Sequence, residues 1–312
     1  MHSDTIMNTL FRGTGTALAT PFRPDGSIDF DSYGRLIDYQ VDNGIEAVIA
    51  CGSTGESATM TRDEKLEVIR FTVERVRSHQ GSRPLVIAGT GSNVTDQTVD
   101  LTRAAADLEI DGALLVSPYY NKPTQRGLLE HFGAIAEAVP ELPLILYNVP
   151  SRTGSTIAAA TTLELARRHR NVIAIKEASA DLDLCSEILR DAPEGFVLYS
   201  GEDTLTLPLI AMGAAGVISV VSNEVPQEFG DLVRHALDGH IADARALHMR
   251  LFALMRANFI ESNPGPVKEA LAMMGIFTSP SLRLPLVGLS DDNRARLKDV
   301  LEHLGLLEAS TA

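Results

Sequence analysis

Several features are scarce in this 312-residue chain, and each scarcity excludes a class of protein. Its two cysteines, Cys51 and Cys185, form no disulfide framework or zinc-ligand cluster, and they suit a reducing compartment. Its apolar runs are far shorter than the ~20 residues that a membrane-spanning helix needs. Residues 1–8 are polar and lack the basic and apolar regions of a signal peptide. We therefore expect a cytoplasmic protein.

Positive charge is also scarce. The chain has 27 Lys and Arg against 41 Asp and Glu, which gives a net charge of −14. A nucleic acid needs a basic face and an anionic membrane repels an acidic one, so we expect neither as a partner. Because so few of the basic residues are lysines, a lysine in an unusual position is a strong signal. The five lysines are Lys65, Lys122, Lys176, Lys268 and Lys298.

Eight short apolar runs recur through the first 220 residues and predict strands. Each has five to seven residues bounded by Gly, Pro or Asn, which is typical of strands buried on both faces of a parallel sheet. The segments between them have helical spacing, as in Leu128, Phe132 and Ile135. The runs are 13–19, 46–50, 84–88, 112–116, 143–147, 172–176, 196–200 and 216–220.

Eight strand–helix units predict an α/β fold, a closed (β/α)8 TIM barrel. Counting alone leaves a doubly wound open sheet as the alternative. After the eighth run the pattern is helical, near 226–239, 241–258, 264–274 and 290–304. We interpret 1–225 as the barrel core, and 226–312 as the last barrel helix with a C-terminal helical extension, all in one domain.

Lys176 closes the sixth run, 172–176, and would stand at the barrel mouth, where TIM-barrel active sites lie. In an apolar enclosure its ammonium form is poorly solvated, which frees the amine as a nucleophile. The alternative is a lysine held in an ion pair with Glu177 or Asp203, and Lys176 alone does not decide between them.

Tyr147 ends the preceding run and favours the nucleophile. A phenol there can give a proton to the carbinolamine that must lose water when an imine forms. The alternative is a core tyrosine whose hydroxyl reaches the rim.

Hydroxyls and one arginine complete the candidate residues. Ser53 and Thr54 follow the second run between glycines, where they can bind a carboxylate or relay protons, or cap a helix. Arg152 follows the fifth run, where its guanidinium can hold a carboxylate with two hydrogen bonds, or simply be solvated.

The sequence lacks the motifs of a metal or cofactor site. None of the eight histidines ends a run, and a full dinucleotide-binding fingerprint is missing. We therefore expect a lysine-based site with no cofactor and no metal.

Eight collinear motifs between Gly13 and about Leu286 resemble the dihydrodipicolinate synthase family, within the pyruvate-dependent Schiff-base aldolases. They are GSTGES (52–57), SPYYNKPTQRGL (117–128), LYNVPSRTG (146–154), IKEAS (175–179), SGED (200–203), GVISV (216–220), ESNPGPVK (261–268) and LRLP (282–285).

The resemblance implies a reaction and its chemistry. Members condense pyruvate with aspartate semialdehyde in lysine synthesis, and they are typically homotetramers built as dimers of dimers. The imine with pyruvate is implied at Lys176, with Tyr147 as general acid–base. A proton relay is implied from Tyr147 to Ser53 and to Tyr120, the latter donated across a dimer interface.

The resemblance also implies how substrates are held. The pyruvate carboxylate is placed near Thr54, and backbone at Gly201 and Ile218 lines the pocket. Arg152 is implied as the clamp for the carboxylate of aspartate semialdehyde. Two alternatives stay open: an aldolase that cleaves a sialic acid or a 2-keto-3-deoxy sugar acid, and a non-catalytic sensor of keto acids.

Two departures from the family pattern matter. The first is the relay hydroxyl, which is usually a threonine. A serine at this position, as in Ser53, also occurs in the sialic acid lyase branch, but that branch normally lacks an arginine at the position of Arg152.

The second departure concerns inhibition by lysine. Lysine-inhibited relatives usually carry His or Glu where this chain has Arg62, Lys65 and Gln97, and two cations disfavour a cationic effector. We predict weak or absent inhibition by lysine. The effector positions that are retained are Ser57, Asn93 and Tyr119.

Overall fold

Eight parallel strands close into a barrel in this computed structural model, which describes residues 10–81 and 83–307. Each strand pairs with the next, and β8 pairs with β1, so the closed barrel is confirmed and an open sheet is excluded. The expectation about residues 1–8 lies outside the described residues. The strands are β1 Gly13–Ala17, β2 Ala47–Ala50, β3 Leu85–Gly89, β4 Gly112–Val116, β5 Leu144–Asn148, β6 Val172–Glu177, β7 Val197–Ser200 and β8 Gly216–Ser219.

Helices surround the barrel, and the last four α-helices lie where the helical pattern predicts them. No helix of the described ranges is long and apolar enough to cross a membrane. The helices are α1 Phe30–Asp42, α2 Arg62–Ser78, α3 Thr95–Ala106, α4 Gln125–Ala138, α5 Pro150–Thr153, α6 Ala159–Arg168, α7 Leu182–Asp191, α8 Thr206–Ala211, α9 Pro226–Leu237, α10 Ile241–Ala257, α11 Gly265–Met273 and α12 Asp291–Leu304.

The second helix illustrates how local sequence determines an element. Thr61 and Glu64 form a capping box at its first turn, in which each side chain accepts a hydrogen bond from the other residue's backbone N–H. Ile69, Val73 and Val76 lie on one face at helical spacing and are buried against the barrel. Capping therefore defines where α2 begins, and apolar burial holds it on the strands.

Strand side chains alternate between two apolar clusters, one inside the barrel and one between the barrel and the helices. This alternation determines which candidate side chains point into the barrel. Ile145 and Ala174 belong to the cluster inside the barrel, whereas Leu146 and Ile175 belong to the cluster between barrel and helices. Successive side chains of a strand point to opposite faces. Lys176, two residues after Ala174, therefore projects into the barrel mouth.

Two ion pairs attach the C-terminal segment to the barrel mouth, and one of them is fully buried. Lys268, on α11, donates to Glu56 over 2.5 Å, and both side chains are fully buried. Arg283 pairs with Glu64 at the start of α2 over 2.6 Å. These two ion pairs hold the segment after α10 beside the loop that follows β2.

Candidate active site

Lys176 and Tyr147 face each other at the C-terminal ends of neighbouring strands. They are register partners on β6 and β5. The Lys176 Nζ lies 4.5 Å from the centroid of the Tyr147 ring. Both side chains are buried, with exposed fractions of 5% and 6%. The amine is therefore enclosed but lies in the wall of a pocket, beside a phenol.

The carboxylates that would make Lys176 a structural residue are occupied elsewhere. Glu177 accepts from Asn148 Nδ2 at 2.8 Å and from the Ser179 backbone N–H at 2.7 Å, and burial raises its pKa. Asp203 accepts from the backbone N–H groups of Val220 and Val221, and burial raises its pKa to about 6. Within residues 10–81 and 83–307, Lys176 forms no ion pair. The ion-pair alternative for Lys176 therefore has no support in the geometry.

The loop after β2 turns sharply and brings two hydroxyls to the pocket. Cys51 and Glu56 adopt left-handed backbone conformations, with φ of 57° and 51°. Gly89 makes room for this turn, because a Cβ there would lie 2.3 Å from the Cys51 carbonyl oxygen. Ser53 and Thr54 line the pocket as a result.

Arg152 lies on the short helix α5, which Gly154 ends in a left-handed conformation with φ of 71°. Its Nη2 donates to the backbone carbonyl of Asn263 over 3.3 Å. Asn263 in turn donates from Nδ2 to Thr54 Oγ1 over 3.1 Å. Asn263, in the C-terminal segment, thus links Arg152 to Thr54 by hydrogen bonds at the mouth of the barrel.

These groups surround a cavity of about 170 Å³ at the C-terminal ends of the strands. It brings together six of the residues predicted from sequence: Ser53, Thr54, Tyr147, Arg152, Lys176 and Gly201. The other lining residues are Ala17, Gly52, Leu114, Val149, Ser151, Ala178, Glu202, Val220, Phe259 and Asn263.

Two predicted residues do not line this cavity. Ile218 is fully buried in the interior of the barrel, and Val220 lies in the cavity wall in its place. Tyr120 is 90% exposed, in a left-handed conformation with φ of 72°. The side chain of Tyr120 therefore lies on the surface of its own chain, where another subunit could reach it.

The residues considered for lysine inhibition lie in different places in the structure. Arg62, Lys65 and Gln97 line a cavity of about 500 Å³, together with Asp96 and Asp100. Arg62 is paired with Asp100 over 2.6 Å, and burial lowers the pKa of Lys65. The retained positions lie outside that lining: Ser57 borders a small cavity beside Tyr147, the Asn93 carbonyl accepts from Asn121, and Tyr119 is exposed.

Among the pocket residues that sequence reasoning missed, three have large polar or aromatic side chains. Glu202 stands in the SGED motif and Asn263 in the ESNPGPVK motif, but no role was predicted for either, and Phe259 was not singled out. Asn263 and Phe259 come from the segment after α10, more than 80 residues beyond Lys176 in the chain. The one available signal was the motif that contains Asn263.

One group of three side chains within the described ranges could hold a metal ion. His235, His240 and Asp243 have ligand atoms within 4.8 Å of one another. They lie at the turn between α9 and α10, and none of them lines the pocket. The pocket itself offers an amine, a phenol, hydroxyls, a guanidinium and one carboxylate, a set suited to imine chemistry on an acidic carbonyl compound. His2 lies outside the described residues.

Comparison with known proteins identifies relatives of this chain both by sequence and by fold. The model of the dihydrodipicolinate synthetase family matches residues 10–304. The 4-hydroxy-tetrahydrodipicolinate synthase of Koribacter versatilis is 47% identical over 300 residues, covering 96% of this chain and 98% of the relative. That of Moorella thermoacetica is 49% identical over 292 residues, covering 94% and 98%. The crystal structure of dihydrodipicolinate synthase from Aquifex aeolicus is similar at a TM-score of 0.92 and 46% identity, covering 96% of this chain and all of that one.

Proposed function

The chain belongs to the dihydrodipicolinate synthetase family, and from this membership we propose how its residues carry out the reaction of a 4-hydroxy-tetrahydrodipicolinate synthase. The enzyme is a lyase of the Schiff-base aldolase type that condenses pyruvate with L-aspartate 4-semialdehyde. The observation that carries the residue assignment is the position of the Lys176 amine, which lies over the Tyr147 ring in the pocket and forms no ion pair with any described residue.

The first half of the mechanism takes place on pyruvate. The neutral amine of Lys176 attacks the keto carbon, and the carbinolamine loses water with a proton supplied through Tyr147. Thr54 holds the pyruvate carboxylate. The imine then gives up a methyl proton and becomes an enamine.

The second half joins the two substrates. The enamine carbon attacks the aldehyde of L-aspartate 4-semialdehyde, whose carboxylate is oriented by Arg152. The new alkoxide takes a proton. The substrate amine then attacks the imine carbon and displaces Lys176, which closes the ring and regenerates the free enzyme. Holding both reactants in one pocket makes the carbon–carbon step effectively unimolecular.

A proton relay and an assembly complete the proposal. Ser53 lines the pocket near Tyr147 and relays its proton, and Tyr120 of a neighbouring subunit continues the relay. The exposure of Tyr120 supports this arrangement, and we propose a homotetramer of two such dimers. The cytoplasm is the proposed compartment, which two free cysteines support.

A condensation assay tests the function. Purified enzyme given pyruvate and L-aspartate 4-semialdehyde is expected to consume both at equal rates and form the cyclic product. A sugar-acid lyase would instead release pyruvate from a sialic acid or a 2-keto-3-deoxy sugar acid, and a sensor would turn over neither. Turnover of the sugar acids without condensation would contradict the proposal.

A further inference from the structure

Glu202 is the single carboxylate among the described residues that line the pocket. Its backbone is fixed on both sides, because its N–H donates to Ser200 Oγ over 3.2 Å and its carbonyl accepts from the Ser200 and Thr206 hydroxyls. Its Oε1 accepts from Thr204 over 3.1 Å. Its second carboxylate oxygen has no hydrogen-bond partner within the described ranges. The carboxylate is therefore held in the wall with an oxygen left for a ligand.

Glu202 does not neutralise the arginine of the same pocket. The Arg152 guanidinium donates to the Asn263 carbonyl, and within residues 10–81 and 83–307 it forms no ion pair with a carboxylate. Beside the Lys176 amine, the pocket thus presents the Arg152 guanidinium and the Glu202 carboxylate, which are not paired with each other within the described residues. A ligand that carries both charges would match this arrangement.

Asn263 adds a second acceptor to the wall. Its side-chain nitrogen donates to Thr54 Oγ1, whereas its Oδ1 is buried without a hydrogen-bond partner. The residue is only 5% exposed, so bulk water does not readily satisfy this oxygen. A buried acceptor that is left unpaired destabilises the free protein, and a donor on a ligand would relieve that cost.

We propose that Glu202 and the Oδ1 of Asn263 form a subsite for the ammonium group of the second substrate. This inference rests on the proposed function, in which that substrate is L-aspartate 4-semialdehyde. Its carboxylate goes to Arg152 and its ammonium to Glu202 and Asn263, so its aldehyde has one orientation toward Lys176. The subsite selects an aldehyde that carries an amino group over an otherwise identical aldehyde that lacks it.

Holding the amino group at Glu202 also places it close to Lys176, where the ring closes. It must reach the imine carbon on Lys176 to close the ring, and Glu202 follows Gly201, which lies against Lys176. A Cβ at Gly201 would stand 3.0 Å from Lys176 Cε. An ammonium held by Glu202 is thus kept on the side of the pocket where the last bond forms, and it gives up one proton to the carboxylate that holds it before the free amine attacks the imine carbon.

Substitution Glu202→Gln tests the subsite, since it removes the charge and keeps the shape. The KM for L-aspartate 4-semialdehyde should rise about 10- to 100-fold, as expected for losing a hydrogen bond between charged groups. Succinate semialdehyde, which lacks only the amino group, should inhibit wild type and variant with the same inhibition constant. Glu194→Gln, an exposed carboxylate before β7, is the matched control and should behave as wild type.

The outcomes separate this inference from the function on which it rests. An unchanged KM in Glu202→Gln, or an inhibition constant for succinate semialdehyde that rises in parallel with the KM, would overturn the ammonium subsite. Borohydride trapping of pyruvate by Glu202→Gln should match wild type and shows that the fold and the imine are intact. If wild type itself trapped no pyruvate, the proposed function would fail, and this inference with it.

Discussion

Tyr147 and Lys176 are register partners on adjacent strands, and the lysine amine lies 4.5 Å from the centroid of the tyrosine ring. Strand pairing determines this relationship, because both side chains point into the barrel at the same level. The pairing of β5 with β6 therefore keeps the phenol beside the amine. In the proposed mechanism, the amine and the phenol of this pair act together.

Replacing Tyr147 with phenylalanine should lower kcat by roughly 10²- to 10⁴-fold, the usual contribution of a positioned general acid–base. The ring that packs against Lys176 is kept, so the pyruvate imine should still form, although more slowly. Steady-state kinetics and borohydride trapping measure the two effects. Tyr199→Phe is the matched control, since Tyr199 pairs with Lys176 from β7 but donates to the Phe11 carbonyl outside the pocket. Equal losses in both variants would contradict the role of Tyr147.

Replacing Arg152 with alanine should raise the KM for L-aspartate 4-semialdehyde by about 10- to 100-fold, because a charge-assisted hydrogen bond to the carboxylate is lost. Pyruvate trapping should be unchanged. Kinetics with each substrate varied in turn measure this split, and Arg170→Ala, an exposed arginine before β6, is the control. An Arg152→Ala enzyme with wild-type kinetics would favour a sugar-acid lyase.

Lysine should inhibit this enzyme weakly or not at all. Arg62 and Lys65 place two cations in the cavity that also holds Asp96 and Asp100, and these cations disfavour a cationic effector; Lys65 has no carboxylate partner within the described ranges. The carboxylate of Asp100 is engaged by Arg62. Titration of lysine in the condensation assay measures the effect, and half-inhibition at low lysine concentration would show this prediction to be wrong.

The ion pair between Arg283 and Glu64 should make stability depend on pH in the acid range. Hydrogen bonds from Arg283 hold the pKa of Glu64 at about 2, below its ordinary value of 4.5. The stabilisation is therefore complete above about pH 4.5 and is lost as the pH falls toward 2. Glu64→Gln should destabilise the protein by about 1–2 kcal/mol at pH 7, since the pair is partly exposed.

Urea unfolding of wild type and Glu64→Gln between pH 7 and pH 3 measures this dependence. The difference in unfolding free energy should shrink as the pH falls. Glu67→Gln, an exposed carboxylate on the same helix, should show no such dependence. A difference that stays constant across the range would mean that charge on Glu64 is not what stabilises the contact.

Local sequence was sufficient for the barrel and for six of the sixteen residues that line the pocket. Apolar runs are a local signal, and the alternation along 172–176 already implies that Lys176 points inward once a closed barrel is assumed. Asn263 was beyond this reasoning, because its place beside Thr54 depends on packing between segments 209 residues apart. The buried pair of Lys268 with Glu56 was missed for the same reason, since only the folded chain brings them together.

The most direct test of the account is borohydride reduction of the protein in the presence of pyruvate, followed by peptide mass spectrometry. The account predicts one adduct, on the peptide that contains Lys176, and none when Lys176 is replaced by methionine or when pyruvate is omitted. Lys298→Met, a partly exposed lysine on α12 that pairs with Glu302, serves as a second lysine control and should still be labelled at Lys176. A folded wild-type sample that carries no adduct, or carries it on another lysine, would contradict the central claim.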